Sequence, residues 1–240
     1  MKLYDGIIRQ TLDTLQNKSV QKTPYRPELA WKDLGSSELV MLRDAAFELG
    51  GDGQPSVNYT CVTTDDTLVP DDAVLVYGPE LSAVKGDVSF ARITLLETDD
   101  LGEDEEAAYN TIRDLEFVRY HVFPEGYMVR VSSESNQEQV RVAKTAIRNG
   151  ISLARVGCAY IRKYRELPGV RHVRVLFLTA QEEIDALRGN AKKVDDITKT
   201  LTHILDGLPT DCGHCSLKPV CDEVEGMREM HMAQKKKESI

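Results

Sequence analysis

The 240-residue chain reads as an α+β protein in which a mixed sheet is packed by long helices and followed by a cysteine-rich loop and helix. Three observations carry that reading. Short runs rich in β-branched and apolar residues, bounded by Gly, Pro and Asp pairs, recur between residues 57 and 179. Longer stretches with apolar residues at helical spacing flank and separate them. The order over residues 127–179, strand then helix then strand, gives the second half an α/β-like βαβ unit, whose right-handed crossover would set the two strands parallel. The chain divides accordingly into an N-terminal helix and linker (1–46), an α+β domain (47–207) and a cysteine-rich metal- or cluster-binding tail (208–240).

Taken in order, Leu3, Ile7, Ile8, Leu12 and Leu15 form one apolar stripe and predict a packing helix over 3–16. Residues 17–35, with Pro24, Pro27 and Gly35, read as a long connection held down by Trp31. Ser36 or Ser37 would cap a helix running to about Leu49, with Gly50-Gly51 ending it. In SVNYTCVTT, alternation predicts a half-buried strand with Cys61 in the core. AVLVYG (73–78) and SFARITLLE (89–97) are further strands. Seven acids between Glu97 and Glu106 lead into a helix over about 104–120, where the helix dipole favours some of them and a solvated face accounts for the rest.

YMVRVS (127–132) predicts a strand, a helix is expected from Ser135 or Asn136 to about Arg165, and HVRVLFLT (172–179) predicts the strand after it. Arg141, Lys144, Arg148, Arg155 and Arg162 would share one face of that helix as a solvated basic stripe or a seat for an anionic partner. Gly150 and Gly157 would kink it or permit close packing, and Cys158 reads as buried packing. A last long helix over 181–206 delivers the chain through Gly207 and Pro209 to the cysteines. His121, His172 and His203 read as structural, and the terminal KKKESI suits a helix end.

The formal net charge of −9 argues against nucleic acid or an anionic membrane as the main partner. The opening MKLYDGIIRQTLDTLQ is an amphipathic helix rather than a signal peptide, and no apolar run approaches a membrane span, so a cytoplasmic protein is expected. In that compartment clustered cysteines more often hold metal than disulfides.

Chemistry is legible in one stretch, Asp211–Ala233, which holds three of the five cysteines and two of the five histidines. Cys212, Cys215 and Cys221 form C-x2-C-x5-C, a spacing that lets a loop point three thiolates at one soft metal or iron–sulfur corner. His231 follows Cys221 at C-x9-H and would need a bend at Gly226 to reach the same centre. A Cys212–Cys215 disulfide and three inert reduced cysteines are the competing readings, and His214, Asp211 or a water are rivals of His231 for the fourth position.

The order FELGG, YGPEL, strand, helix, YMVRVS, HVRVLFLT, helix and C-x2-C…C resembles the acetyl-CoA synthase subunit of the carbon monoxide dehydrogenase/acetyl-CoA synthase complex over about residues 47–231. The resemblance implies that family's middle domain plus the start of its cluster-binding domain. The family spaces its cluster cysteines C-x2-C-x8-C-x9-C. Here the second gap is five and the fourth position holds His231. The later Cys-Gly-Cys that chelates the family's second nickel has no counterpart in the sequence. The resemblance also implies coenzyme A binding, for which the basic helix would be the first candidate.

Three functions follow. The first is an iron–sulfur protein acting as an accessory or electron-transfer component of one-carbon and acetyl-CoA metabolism, with a 4Fe–4S cluster favoured over zinc, nickel not expected and no catalytic residue of its own. Its partner would be a redox protein or a carbon monoxide dehydrogenase/acetyl-CoA synthase-type subunit. The second is a component that takes part in acetyl transfer together with a partner chain. The third is an interaction module stapled by structural zinc, which thiolates with one imidazole would also suit.

Overall fold

The structure, a computed structural model, describes residues 2–51, 53–100, 105–132, 137–205 and 215–223. Its framework is a five-stranded mixed sheet built from β1 (Gln21–Pro24), β3 (Ser56–Thr63), β4 (Ala73–Tyr77), β5 (Phe90–Thr98) and β8 (Val170–Leu178), in the order β1-β4-β8-β5-β3. β3 and β5 are parallel, as are β4 and β8, while β5 and β8 run antiparallel. β2 (Ala45–Leu49), β7 (Gln137–Ala143) and β6 (Tyr127–Ser132) form a separate antiparallel sheet in that order. The α+β class follows from this arrangement.

The strand register sorts the large sheet into two faces. Tyr59, Cys61 and Ile93 share one face with their neighbours, covered by α1 (Asp5–Leu15) and α5 (Gln181–Leu205). The Tyr59 hydroxyl meets Thr11 of α1 at 2.8 Å there, and Asn190 of α5 donates to the same Thr11. Asn58, Thr60, Arg92, Thr94, Val74 and Phe177 share the other face, covered by α4 (Leu153–Tyr164) and by β7. Because both faces are covered, every residue of β3, β4 and β5 is buried. The expected half-buried strand at 57–62 is therefore a fully buried one.

The helices at 3–16, 104–120 and 181–206 take shape as α1, as α2 (Glu105–Phe117) with a 3-10 turn after it, and as α5. Three expectations are corrected. The connection at 17–35 contains β1, which pairs with β4. Trp31 is buried within it, with Nε1 donating to the Glu125 carbonyl at 2.8 Å. The helix expected from Ser36 or Ser37 to Leu49 is instead a 3-10 turn at Leu42–Asp44 followed by β2. Helix propensity in AAFEL gives way to burial of Phe47 and Leu49 on alternate positions. Gly50 then turns the chain at φ 63°, where a Cβ would lie 2.7 Å from the Glu138 carbonyl oxygen.

The third correction is the largest. The helix expected from 135 to 165 is β7, α3 (Lys144–Arg148) and α4 in succession. The βαβ unit over 127–179 does not form, since β6 pairs antiparallel with β7 and the parallel partner of β8 is β4. In QEQVRVA, Glu138, Val140 and Val142 alternate with outward residues and are fully buried, which is a strand's period of two. Gly150, at φ 81°, separates α3 from α4, and Ser152 caps α4 by accepting from the Arg155 N–H. A second cap comes from the YGPEL loop, where the Glu80 carboxylate accepts from the backbone N–H groups of Leu153 (2.7 Å) and Ala154 (3.0 Å). Among the described residues no helix is long and apolar enough to cross a membrane.

Candidate metal segment and the buried arginine cluster

α5 carries the chain towards the cysteine segment, and α6 (Lys218–Glu223) packs back against α5. Cys215 is half-buried just ahead of α6, and its carbonyl accepts from the Lys218 N–H. Val220 packs against the core, where Pro219 and Val220 face α1 and Ile197 across a cleft of about 510 Å³. Cys221 lies in α6, and its side chain is outside what is described. Cys212 and His231, with the rivals Asp211 and His214, lie outside the described residues. Among the described residues no group of three or more His, Cys, Asp or Glu side chains could hold a metal ion. The donor set itself, three thiolates and an imidazole, fits a soft or borderline metal or an iron–sulfur cluster. Cys61 and Cys158 are buried in the core, and burial pushes both thiols up, as befits packing residues.

The basic stripe is not formed. Arg141 sits on β7, paired with Glu48 at 2.6 Å, and Lys144 starts α3, donating to the Arg43 carbonyl. Arg155 stacks over the Trp31 ring at 4.3 Å from α4. Cations expected on one helix are spread over three elements, so this candidate for an anion seat is withdrawn.

A different charged cluster joins the two sheets. Arg92 of β5 and Glu138 of β7 are both fully buried, with Nη2 to Oε2 at 2.6 Å and Nε to Oε1 at 2.9 Å. The Arg92 guanidinium lies 4.2 Å from the centre of the Tyr160 ring, and Asn58 Nδ2 also donates to Glu138. Ser56 Oγ donates to the Glu138 carbonyl and accepts from its N–H, fixing the backbone as well. Burial disfavours the charged guanidinium, yet the Glu138 carboxylate and the groups around it together more than offset this and hold Arg92 charged. Burial also pushes the phenols of Tyr127, Tyr160 and Tyr164 up, so all three stay protonated at neutral pH. Such a cluster is a poor acid or base. Its geometry suits a bolt between sheets, and the sequence signal for it was a lone arginine inside the apolar run SFARITLLE.

No curated protein matches the chain. The family model of the CO dehydrogenase/acetyl-CoA synthase complex beta subunit matches residues 35–184. That span holds the whole three-stranded sheet, the buried arginine cluster and β3, β4, β5 and β8, and it stops before the cysteine segment. The match covers more than half of the chain, and the protein belongs to the family of the CO dehydrogenase/acetyl-CoA synthase complex beta subunit.

Proposed function

We propose that the chain is an iron–sulfur-binding member of this family that acts as an accessory or electron-transfer component of one-carbon and acetyl-CoA metabolism. Cys212, Cys215 and Cys221 supply three ligands and His231 the fourth, with a 4Fe–4S cluster ahead of zinc. In this reading residues 47–207 are the carrier domain and 208–240 the cluster-binding tail, and the cellular site is the cytoplasm. The partner is a carbon monoxide dehydrogenase-type subunit or a redox protein. The observation that supports it is the pairing of a family-matched body with a three-cysteine segment that α6 anchors to α5.

A cluster held there supplies one-electron transfer. The chain's own residues bind it, and α6, packed on α5, limits how far it can move from the folded body. Half-buried Cys215 lies near enough to the surface for a partner to approach. Family membership favours a second reading, in which the same tail contributes to acetyl transfer inside an assembly with a partner chain.

Anaerobic reconstitution with iron and sulfide tests the first reading. The expected results are a visible charge-transfer absorption, a one-electron midpoint and no acetyl-CoA formation by the chain alone. The sequence has no Cys-Gly-Cys to hold a metal with open positions for substrates. Wild-type protein that takes up neither iron nor zinc would sink the proposal. Acetyl-CoA formation on adding a carbon monoxide dehydrogenase subunit would favour the second reading.

A further inference from the structure

The three-stranded sheet has an open side. Its order is β2-β7-β6, so β6 is paired along one edge only. The Ala143 N–H donates to the Gly126 carbonyl, which makes Gly126 and Ala143 a hydrogen-bonded pair of the β6–β7 ladder. Hydrogen-bonded and non-hydrogen-bonded pairs alternate, so Met128 and Arg130 turn their backbone groups to β7, and Tyr127, Val129 and Val131 turn theirs outward. The outward Tyr127 N–H is taken by the Pro124 carbonyl. Among the described residues nothing bonds the outward N–H and C=O groups of Val129 and Val131. An edge left open in this way is a template for another strand.

Two charges flank that edge, one at each end. Glu38 stands at the Gly126 end, where its carboxylate accepts from the Gly126 N–H at 2.7 Å. Arg119 stands at the Val131 end: its Nη1 donates to Asn58 at 3.3 Å, and Asn58 bonds Glu138, the register partner of Val131. Both line the recess beside β6. Among the described residues neither has an ion-pair partner, and Arg119 Nε is buried without a hydrogen-bond partner.

We propose that β6 pairs antiparallel with β6 of a second copy of this chain across a two-fold axis, joining the two small sheets edge to edge. An isologous contact has to be self-complementary. An antiparallel two-fold lays the Val131 end of one strand against the Gly126 end of the other, so each Arg119 meets the partner's Glu38. A second copy thus brings the carboxylate that Arg119 lacks and the cation that Glu38 lacks at once. Charge also selects the register. An axis through Arg130 would set that side chain opposite its own copy in a close non-hydrogen-bonded pair, which like charge disfavours. An axis through Val129 sets Arg130 against the partner's Met128, and Val131 against the partner's Tyr127 as an aromatic and β-branched pair. There Val129 bonds its own copy and each Val131 N–H meets the partner's Tyr127 carbonyl, about four main-chain bonds in all.

The test is sedimentation equilibrium of the full chain in low salt, over about 1–100 μM. A dimer is expected. Val129→Pro removes an outward N–H, spares every β6–β7 bond and should raise the dissociation constant by about tenfold or more. Arg119→Glu and Glu38→Arg should each weaken the dimer likewise, and the two combined should restore it, because the exchanged charges meet again across the axis. Circular dichroism checks that each variant folds, and Val129→Pro decides the matter should the charge variants not fold. A chain that stays monomeric at the top of that range, or a dimer that Val129→Pro leaves as tight as before, overturns the proposal. So does a folded charge-exchanged variant that dimerises no better than the single ones.

Discussion

Removing one charge of the Arg92–Glu138 pair isolates what holds the two sheets together. In Glu138→Gln the guanidinium keeps its place on β5, fully buried, but loses its counter-charge. Breaking such a pair from one side costs about 3–5 kcal/mol, because the remaining ion cannot return to water. For a chain of this size that lowers Tm by roughly 6–20 °C. Arg92→Met should cost a similar amount. The double variant Arg92→Met with Glu138→Leu removes both charges, leaving chiefly the Asn58 amide short of an acceptor, at about 1–3 kcal/mol. The double variant is therefore expected to be more stable than either single one. Urea denaturation followed by the fluorescence of Trp31, the single tryptophan, gives these values. A cost below about 1 kcal/mol for Glu138→Gln, or a double variant as costly as the two singles summed, refutes the reasoning.

Gly157→Ala tests the closeness of α4 to the sheet: its Cβ would lie 2.6 Å from both Val74 methyls and 3.1 Å from the Phe177 ring. Overpacking of about 1–3 kcal/mol outweighs a helix-propensity gain of about 0.5–1 kcal/mol, and adding Val74→Ala should restore part of the loss in the same urea assay. Burial holds the Glu116 carboxyl above the usual glutamate range, with the Thr198 hydrogen bond and Arg119 offsetting only part of this. The unfolded chain then releases this proton first, near pH 4.3, so stability falls as pH rises from there to the folded value. Glu116→Gln should flatten that decline and raise Tm at pH 7 but not at pH 4; equal Tm differences at both pH values would contradict it. His231→Ala should loosen metal binding, and His231→Cys should keep the metal while lowering the midpoint, since histidine in place of cysteine raises a cluster's potential. Unchanged metal content and midpoint in His231→Ala would remove His231 from the ligand set.

Local pattern carried the fold where one period dominated. Ile184, Leu187, Val194, Ile197 and Leu201 repeat at helical spacing, and all are buried along α5. It misled where two periods overlap. Val140 and Val142 belong to a strand, but the charged residues from Arg141 onward also fall at helical intervals, and that longer pattern hid the alternation. With β7 read as helix, β6 had no antiparallel partner and a βαβ crossover was the natural consequence. The buried contacts of the inter-sheet cluster were illegible for a different reason: Arg92 and Glu138 are 46 positions apart, and Asn58 and Glu138 are 80 apart. No local rule pairs such residues. The cysteines needed no such pairing to be singled out, because C-x2-C-x5-C is a local spacing that by itself raises the expectation of a metal site.

The central claim is that Cys212, Cys215 and Cys221 hold a metal centre, and metal and sulfide analysis of anaerobically purified protein tests it most directly. The account predicts bound iron with acid-labile sulfide in the wild type, and its loss in Cys215→Ser with the α+β fold intact by circular dichroism. Zinc in place of iron would keep the ligands and replace the electron-transfer role with a structural one. Wild-type protein free of both metals, or Cys215→Ser protein with undiminished metal, would contradict the claim.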